Sequence, residues 1–413
     1  MPAQPTSEVN ITTGIHLTRR EVYRARVRAL RRVKSLHPYG SAILTPLLHI
    51  AGHMLWTAPP AVPSAELNHC RAGALPFGCN VTVARATAPL AKEANGPLSR
   101  STMTESSPVF VVGAVRTGST MLRLMLDSHP QIRNPGEFDF LIDKVGSDGS
   151  TPNVKKYRRW LSTHRGFEET GLAVDPRLDY RQLMCSFLEQ LQRGGRVVTM
   201  NVHRHFERLP PLFPNARYIH LIRDPRDVAR SSFGLGMAGN LYRGVEIWAT
   251  AERSWDRLVA TLKPDRYLEV RYEMLLENVV EELTRICRFL GLEYSPSMLN
   301  YPSRSTYAAP DPRLRYQWKR QCGAQELQWV DWKLGSMLLQ RNYELSGFGP
   351  KKPTLLERVK IRLQDKYYRV RFEVKLYGLG LYLESLLAAR LPIPWWNDSC
   401  QRRINQIDLK LLK

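Results

Sequence analysis

The sequence predicts an α/β fold: a three-layer, P-loop-like domain around a central parallel sheet, with a poorly ordered N-terminal extension and a helical C-terminal extension. Three observations carry this. Short apolar runs alternate with helical patterns from Val109 to about Leu339. Two of those runs end in turns rich in cations and hydroxyls that open a helix, which puts a ligand site at the carboxyl ends of strands. Residues 1–105 show no such alternation.

That first segment is rich in Pro, Ala and Arg, the composition of a disordered or basic extension. Arg19–Lys34 could form a basic helix, and Tyr39–Ala58 is mostly apolar. Basic residues before an apolar run are the pattern of a membrane anchor. Here Pro46, His49 and His53 interrupt the run, and it is barely long enough to span a bilayer. The leading expectation is a cytoplasmic protein. An anchor through residues 39–58 is the alternative, and Met103 is a third option as the true start. The sequons at Asn10, Asn80 and Asn397 do not decide, since such triplets are common by chance.

Val109–Val112 is a buried strand bounded by Pro108 and Gly113. The loop Gly113-Ala114-Val115-Arg116-Thr117-Gly118-Ser119-Thr120 follows. Met121, Leu122, Met125 and Leu126 then form one helical face, closed by His129-Pro130. The loop has the glycine spacing of a phosphate-binding turn, with Ser119 where a nucleotide triphosphatase has lysine. Backbone N–H groups and a helix N-terminus still suit a phosphate, and Arg116 supplies a cation from inside the loop. A magnesium triphosphate is therefore disfavoured.

After the turn Asn134-Pro135-Gly136 comes Glu137, then a polar stretch to about Thr170. A helix over Tyr180–Gln192, a break at Gly194-Gly195 and a strand over Arg196–Val202 lead into Asn201–His205. The strand at Tyr218–Ile222 ends in Arg223. Asp224 can cap the next helix, Pro225 suits its first position, and Ser231 lies about two turns beyond Arg223. Trp248, Ala251, Trp255, Leu258 and Leu262 share one helical face and are expected in the core. Tyr267–Val270 is the next strand, leading to Tyr272 and a helix with Val279, Leu283, Ile286 and Leu290 inward. The loop Ser303–Tyr316 offers Arg304, Arg313 and Arg315, and a helix over Gln325–Leu339 closes the domain. Residues 349–413 are basic and amphipathic, with packing on the domain as the default and a partner or a membrane surface as alternatives.

The formal charge of +22 and pI near 10.0 favour anionic partners without specifying a fold. No familiar nucleic-acid motif accompanies the charge, so nucleic acid is not the expected partner. The six cysteines lack CxxC or regular spacing, so neither a disulfide framework nor a zinc site is expected.

The two strand-to-helix junctions, in this order, resemble those of the sulfotransferase superfamily, which moves a sulfuryl group from 3'-phosphoadenylyl sulfate (PAPS) to a hydroxyl or amine. The pattern is nearest the protein-tyrosine and bacterial-type branch. The resemblance covers roughly Pro108–Phe348, giving a sulfotransferase domain over 106–348 and an extension over 349–413. The usual loop, Pro-Arg-Ser-Gly-Thr-Thr, is here Val115-Arg116-Thr117-Gly118-Ser119-Thr120.

The resemblance implies that Arg116, Thr117, Gly118, Ser119 and Thr120 hold the 5'-phosphosulfate and that Arg223 and Ser231 hold the 3'-phosphate. Tyr272 is the candidate adenine neighbour, or else a structural hydroxyl. Arg116 would stabilise the leaving phosphate and Glu137 would be the acceptor's base, with no metal. The alternative for Glu137 is a turn carboxylate paired with Arg133. His129 and His220 fit a helix end and a strand interior better than a base. The lysine that the family usually carries in the turn after the strand Arg196–Val202 is missing. Asn201, His203 or Arg204 could replace it, or this could be a surface turn. The Ser303–Tyr316 loop would fold over PAPS.

Two other functions compete. A P-loop kinase is argued against by the absent loop lysine. A non-catalytic nucleotide- or polyanion-binding protein is argued against by Arg116, Glu137, Arg223 and Ser231 occurring together. The acceptor, whether small molecule, carbohydrate, lipid or peptide, stays open.

Overall fold

In chain order the elements are β1 (Val109–Val112), α1 (Ser119–Asp127), β2 (Ile132–Arg133), α2 (Val154–Leu161), α3 (Arg165–Glu168) and α4 (Tyr180–Gln192). Then come β3 (Val197–Val202), β4 (Arg217–Ile222), α5 (Pro225–Phe233), α6 (Leu241–Val259), β5 (Tyr267–Arg271), α7 (Tyr272–Glu277) and α8 (Val279–Leu290). The chain finishes with α9 (Trp318–Gln321), α10 (Ala324–Gln340), α11 (Leu355–Ala388) and α12 (Pro394–Leu411). These come from a computed structural model that describes residues 107–391 and 393–411. The expectations for residues 1–105, including segments 19–34 and 39–58 and the start at Met103, lie outside the described residues.

The sheet order is β2-β3-β1-β4-β5, with every pair parallel. β1 is buried along its whole length because it pairs with β3 on one side and β4 on the other. Its side chains alternate between two cores. Phe110 and Val112 join Phe187, Trp248, Trp255 and Leu334 on the face covered by α4, α6 and α10. Val109 and Val111 join Leu122, Met125, Leu283 and Ile286 on the face covered by α1 and α8. Two helical layers around one sheet result. The chain leaves β1 toward β2 and β3 and later crosses to β4, so the order reverses beside β1. In such a sheet ligands bind outside the strand carboxyl ends at that point.

Local signals account for the helix starts. Asp179 and Gln182 form a reciprocal capping box on α4, and Asp224 caps α5 with Pro225 at its first position. The polar stretch after Glu137 contains more structure than its composition suggests. Asn153 caps α2, and Tyr157 and Leu161 of that helix are buried.

The C-terminal extension packs on the domain. A capping box of Thr354 and Glu357 starts α11, and Gly378, with φ 77°, interrupts it. Asn240 Nδ2 donates to the Ile361 carbonyl at 2.8 Å, and the Gly239 N–H donates to Asp365 at 2.8 Å. A Cβ at Gly239 would lie 2.6 Å from Tyr368 Cβ, so only glycine permits that approach. α12 returns to the domain through Asn405, whose amide donates to the Thr163 carbonyl at 2.9 Å. Among the described residues, no helix is long and apolar enough to cross a membrane.

Candidate active site

A cleft of about 820 Å³ lies over the carboxyl ends of β1, β3, β4 and β5. Its floor is the loop after β1. Thr117 Oγ1 donates to the Ala114 carbonyl at 2.8 Å, which closes the turn. Arg116 and Gly118 have positive φ, 72° and 95°, the left-handed backbone from which anion-binding loops are built. No side chain caps α1, leaving its first-turn amides to a ligand. Gly118 is required for a second reason: a Cβ there would lie 2.4 Å from the Tyr272 ring.

The two junctions meet directly. Arg116 Nε donates to Ser231 Oγ at 3.0 Å across 115 residues of sequence, and Arg223 donates to the Arg116 carbonyl at 3.1 Å. The Arg223 guanidinium lies 4.3 Å from the centre of the Tyr272 ring. Its buried Nε has no hydrogen-bond partner among the described residues. A buried cation with an unmet donor, beside the uncapped start of α1, fits a phosphate-bearing ligand.

Glu137 also lines the cleft. The Asn201 N–H donates to the Gly136 carbonyl at 2.9 Å and the Phe138 N–H donates to the Asn201 carbonyl at 2.7 Å, which fixes the backbone on either side of Glu137. Its carboxylate is half exposed, 3.6 Å from Nε2 of the buried His203. His203 Nδ1 lies 3.0 Å from the Gly113 carbonyl, which can only accept, so Nδ1 carries a proton. A second proton on Nε2 then faces a carboxylate instead of a lone pair facing it. Burial alone would lower the His203 pKa, but the contact with Glu137 and the nearby Asp139 charge raise it to about 9. Reciprocally, the contact with His203 outweighs burial and holds Glu137 down at about 2.

Residues 108–296, a little under half of the chain, match the sulfotransferase family model. Over that stretch the chain is similar to sulfotransferases. Protein-tyrosine sulfotransferase 2 of Gallus gallus is 26% identical over 211 residues, covering 47% of this chain and 53% of that protein. The omega-hydroxy-beta-dihydromenaquinone-9 sulfotransferase Stf3 of Mycobacterium tuberculosis is 24% identical over 263 residues, covering 48% and 68% respectively. Among solved structures, the sulfotransferase domain of the Synechococcus olefin synthase is 25% identical, with 54% of this chain and 90% of that one covered at a TM-score of 0.42. The chain spans about half the length of most of the protein-tyrosine sulfotransferases it matches.

Of the residues expected at the site, the cleft is lined by Arg116, Gly118, Ser119, Thr120, Arg223, Ser231, Tyr272 and Glu137. Thr117 is buried beneath them. Glu137 does not pair with Arg133, which donates instead to the Leu191 carbonyl at 3.1 Å. His129 bonds the Glu293 carbonyl, and His220 is enclosed between Glu252 and Glu269. Of the three residues weighed against the missing lysine, Asn201 spends its amide on the Ser119 carbonyl and its oxygen on Asn134. Arg204 is held by Asp143 through two bonds of 2.7 and 2.6 Å. His203 is left facing the cleft.

The loop Ser305–Asp311 covers one side, but Arg304, Arg313 and Arg315 are not among the lining residues. Arg313 pairs with Asp311, and Arg315 with Glu277. The cations that sequence reasoning missed are Arg123, Arg165 and Arg230, all of which line the cleft. Arg230 lies one residue before Ser231, and only its place in the helix shows which way it faces. Glu137, Asp139 and His203 bring ligand atoms within 4.8 Å of one another, as a metal site would. Asp139 already accepts from the His203 N–H, however, and Arg123, Arg165 and Arg204 supply the positive charge around the group. The trio reads as an ion-paired set.

Proposed function

We propose that this chain transfers a sulfuryl group from PAPS to a hydroxyl or amine acceptor. The observation that carries the reading is the direct joining of the two junctions through Arg116, Ser231 and Arg223. A ligand with phosphates at both ends of one ribose would need that arrangement. PAPS supplies the sulfuryl group when bound. The loop amides from Arg116 to Thr120 would hold its 5' end, with Arg223 and Ser231 at its 3'-phosphate and Tyr272 beside the base. Arg116 would neutralise charge on the departing phosphate, Glu137 would take the acceptor's proton, and His203 would supply the cation that a lysine supplies in the family. The catalytic domain would span 106–348.

Adenosine 3',5'-bisphosphate (PAP) at about 100 times its dissociation constant should raise stability by roughly 2.7 kcal/mol without magnesium. Arg223→Ala should weaken that binding by about 1.5–3 kcal/mol. Equal thermal protection by 5'-AMP, or parental PAP affinity in the variant, would remove the 3'-phosphate site.

The outward face of α11 supports a second contact. Leu356, Val359, Leu363 and Tyr367 recur at helical spacing and are exposed, with Lys360, Arg362, Lys366 and Arg369 exposed around them. Apolar residues ringed by cations suit an anionic lipid surface. The protein should sediment with phosphatidylserine vesicles, less so in high salt, and Leu363→Glu should release it. Equal retention on neutral vesicles would contradict this.

A further inference from the structure

The family match ends at residue 296, yet a second cleft, of about 610 Å³, continues from the first and shares Glu137 and His203 with it. One wall is α12. Asn397, Gln401, Asn405 and Asp408 recur at intervals of four, four and three, so they occupy one face of that helix, and all four line this cleft. A helix docked for packing alone turns an apolar stripe inward. This one buries Cys400 but turns amides and a carboxylate to the cleft.

Some of these side chains are anchors. Asp398, also at the cleft, pairs with Arg159 at 2.8 Å, and Asp408 lies 3.5 Å from Arg165. Gln401 Nε2 donates to Asn405 Oδ1 at 2.9 Å, and the Asn405 amide donates onward to Thr163, so the relay turns the Gln401 oxygen into a positioned acceptor. The facing wall includes Lys144 and His164 around Trp160, with Lys144 4.5 Å from the ring centre. Charges of both signs are present and largely paired, which selects against a polyanion. The apolar lining is confined to Val115, Trp160 and Met237.

On the sulfotransferase reading, which this inference presupposes, we propose that the second cleft is the acceptor site and that it takes a neutral polyhydroxylated acceptor, a carbohydrate, with α12 setting specificity. The acceptor's hydroxyl oxygen bonds to sulfur as the bond from sulfur to the bridging oxygen breaks, that oxygen staying on the nucleotide's phosphate. The hydroxyl proton passes to Glu137, and PAP leaves with the negative charge. A lipid tail or a phenol ring would desolvate the amides of α12 without satisfying them, whereas hydroxyl groups both donate and accept.

The test uses the full chain with labelled PAPS and three probes: lactose, a tyrosine-containing peptide and dodecanol. Label should pass to the disaccharide. Asn397→Leu combined with Gln401→Leu should raise the KM for lactose by about tenfold or more, as for loss of two hydrogen bonds, with the KM for PAPS unchanged. No transfer to lactose or to a wider neutral saccharide panel, or an unchanged acceptor KM in the variant, would overturn the proposal. Thermal protection by PAP is measured in parallel on both proteins. Its absence in the parent would sink the sulfotransferase reading itself, and its retention in the variant shows that the fold and the nucleotide site are intact.

Discussion

Arg226→Ala should destabilise the protein by about 3–5 kcal/mol, read as a shift in urea midpoint, because it strands a buried carboxylate. Arg226 and Asp224 are both fully buried and joined by two bonds, Nε to Oδ1 at 2.9 Å and an NH2 nitrogen to Oδ2 at 2.7 Å. The same nitrogen donates to the Glu344 carbonyl at 2.9 Å, and the guanidinium stacks 3.5 Å from the centre of the Trp318 ring. Asp224 also caps α5, while its own N–H donates to Glu273 at 2.9 Å, and Tyr343 donates to the other Glu273 oxygen at 3.2 Å. Arg223 and Ser231 are carried by this clamp without belonging to it. Asp224→Ala combined with Arg226→Leu should lose less than the sum of the single changes, since no unpaired charge is then left behind. A loss below about 1 kcal/mol in Arg226→Ala would mean that water reaches the pair and that the clamp is not what holds the junction.

The parts of the fold that were legible in the sequence are those whose signals are local. β1, β4 and β5 are short apolar runs bounded by turns, and α4 and α5 carry their caps within four residues. β2 was not legible. It is two residues long and exists only because Ile132 and Arg133 pair with Val197 and Val198 at the sheet edge. α2 was hidden in a polar stretch because only Tyr157 and Leu161 of its eight residues are buried. The site divides in the same way. Arg116, Arg223 and Ser231 could be picked out by spacing within each junction, but the bond from Arg116 to Ser231 is a tertiary fact. His203 could not be separated from Asn201 and Arg204 until their hydrogen bonds were known. The polar stripe on α12 has the spacing of any solvent-facing helix surface, so nothing in the sequence marks it as the wall of a cleft.

Glu137→Gln should lower turnover by roughly 10²–10⁴-fold while leaving thermal protection by PAP nearly unchanged. A carboxylate held at about 2 is a weak base, which bears on when the proton moves. If the transition state is loose, as in most phosphoryl transfers, little charge has left the acceptor oxygen early on, and its proton becomes strongly acidic only as the bond to sulfur forms. A weak base placed at the acceptor is then sufficient, and the protonated His203 beside it keeps the carboxylate ionised and ready. The pH dependence follows from the signs of the two shifts. With Glu137 near 2, turnover should show no acid limb between about pH 5 and 8, since the base stays ionised throughout. With His203 near 9, its charge and its contribution are lost as pH rises through that value. His203→Asn removes the cation, so the Glu137 pKa should rise toward the ordinary 4.5 and an acid limb should enter the measurable range as the alkaline limb disappears. An unchanged profile in His203→Asn would show that the histidine has only a packing role. Parental turnover in Glu137→Gln, measured where chemistry limits the rate, would show that the proton leaves to solvent or to another group.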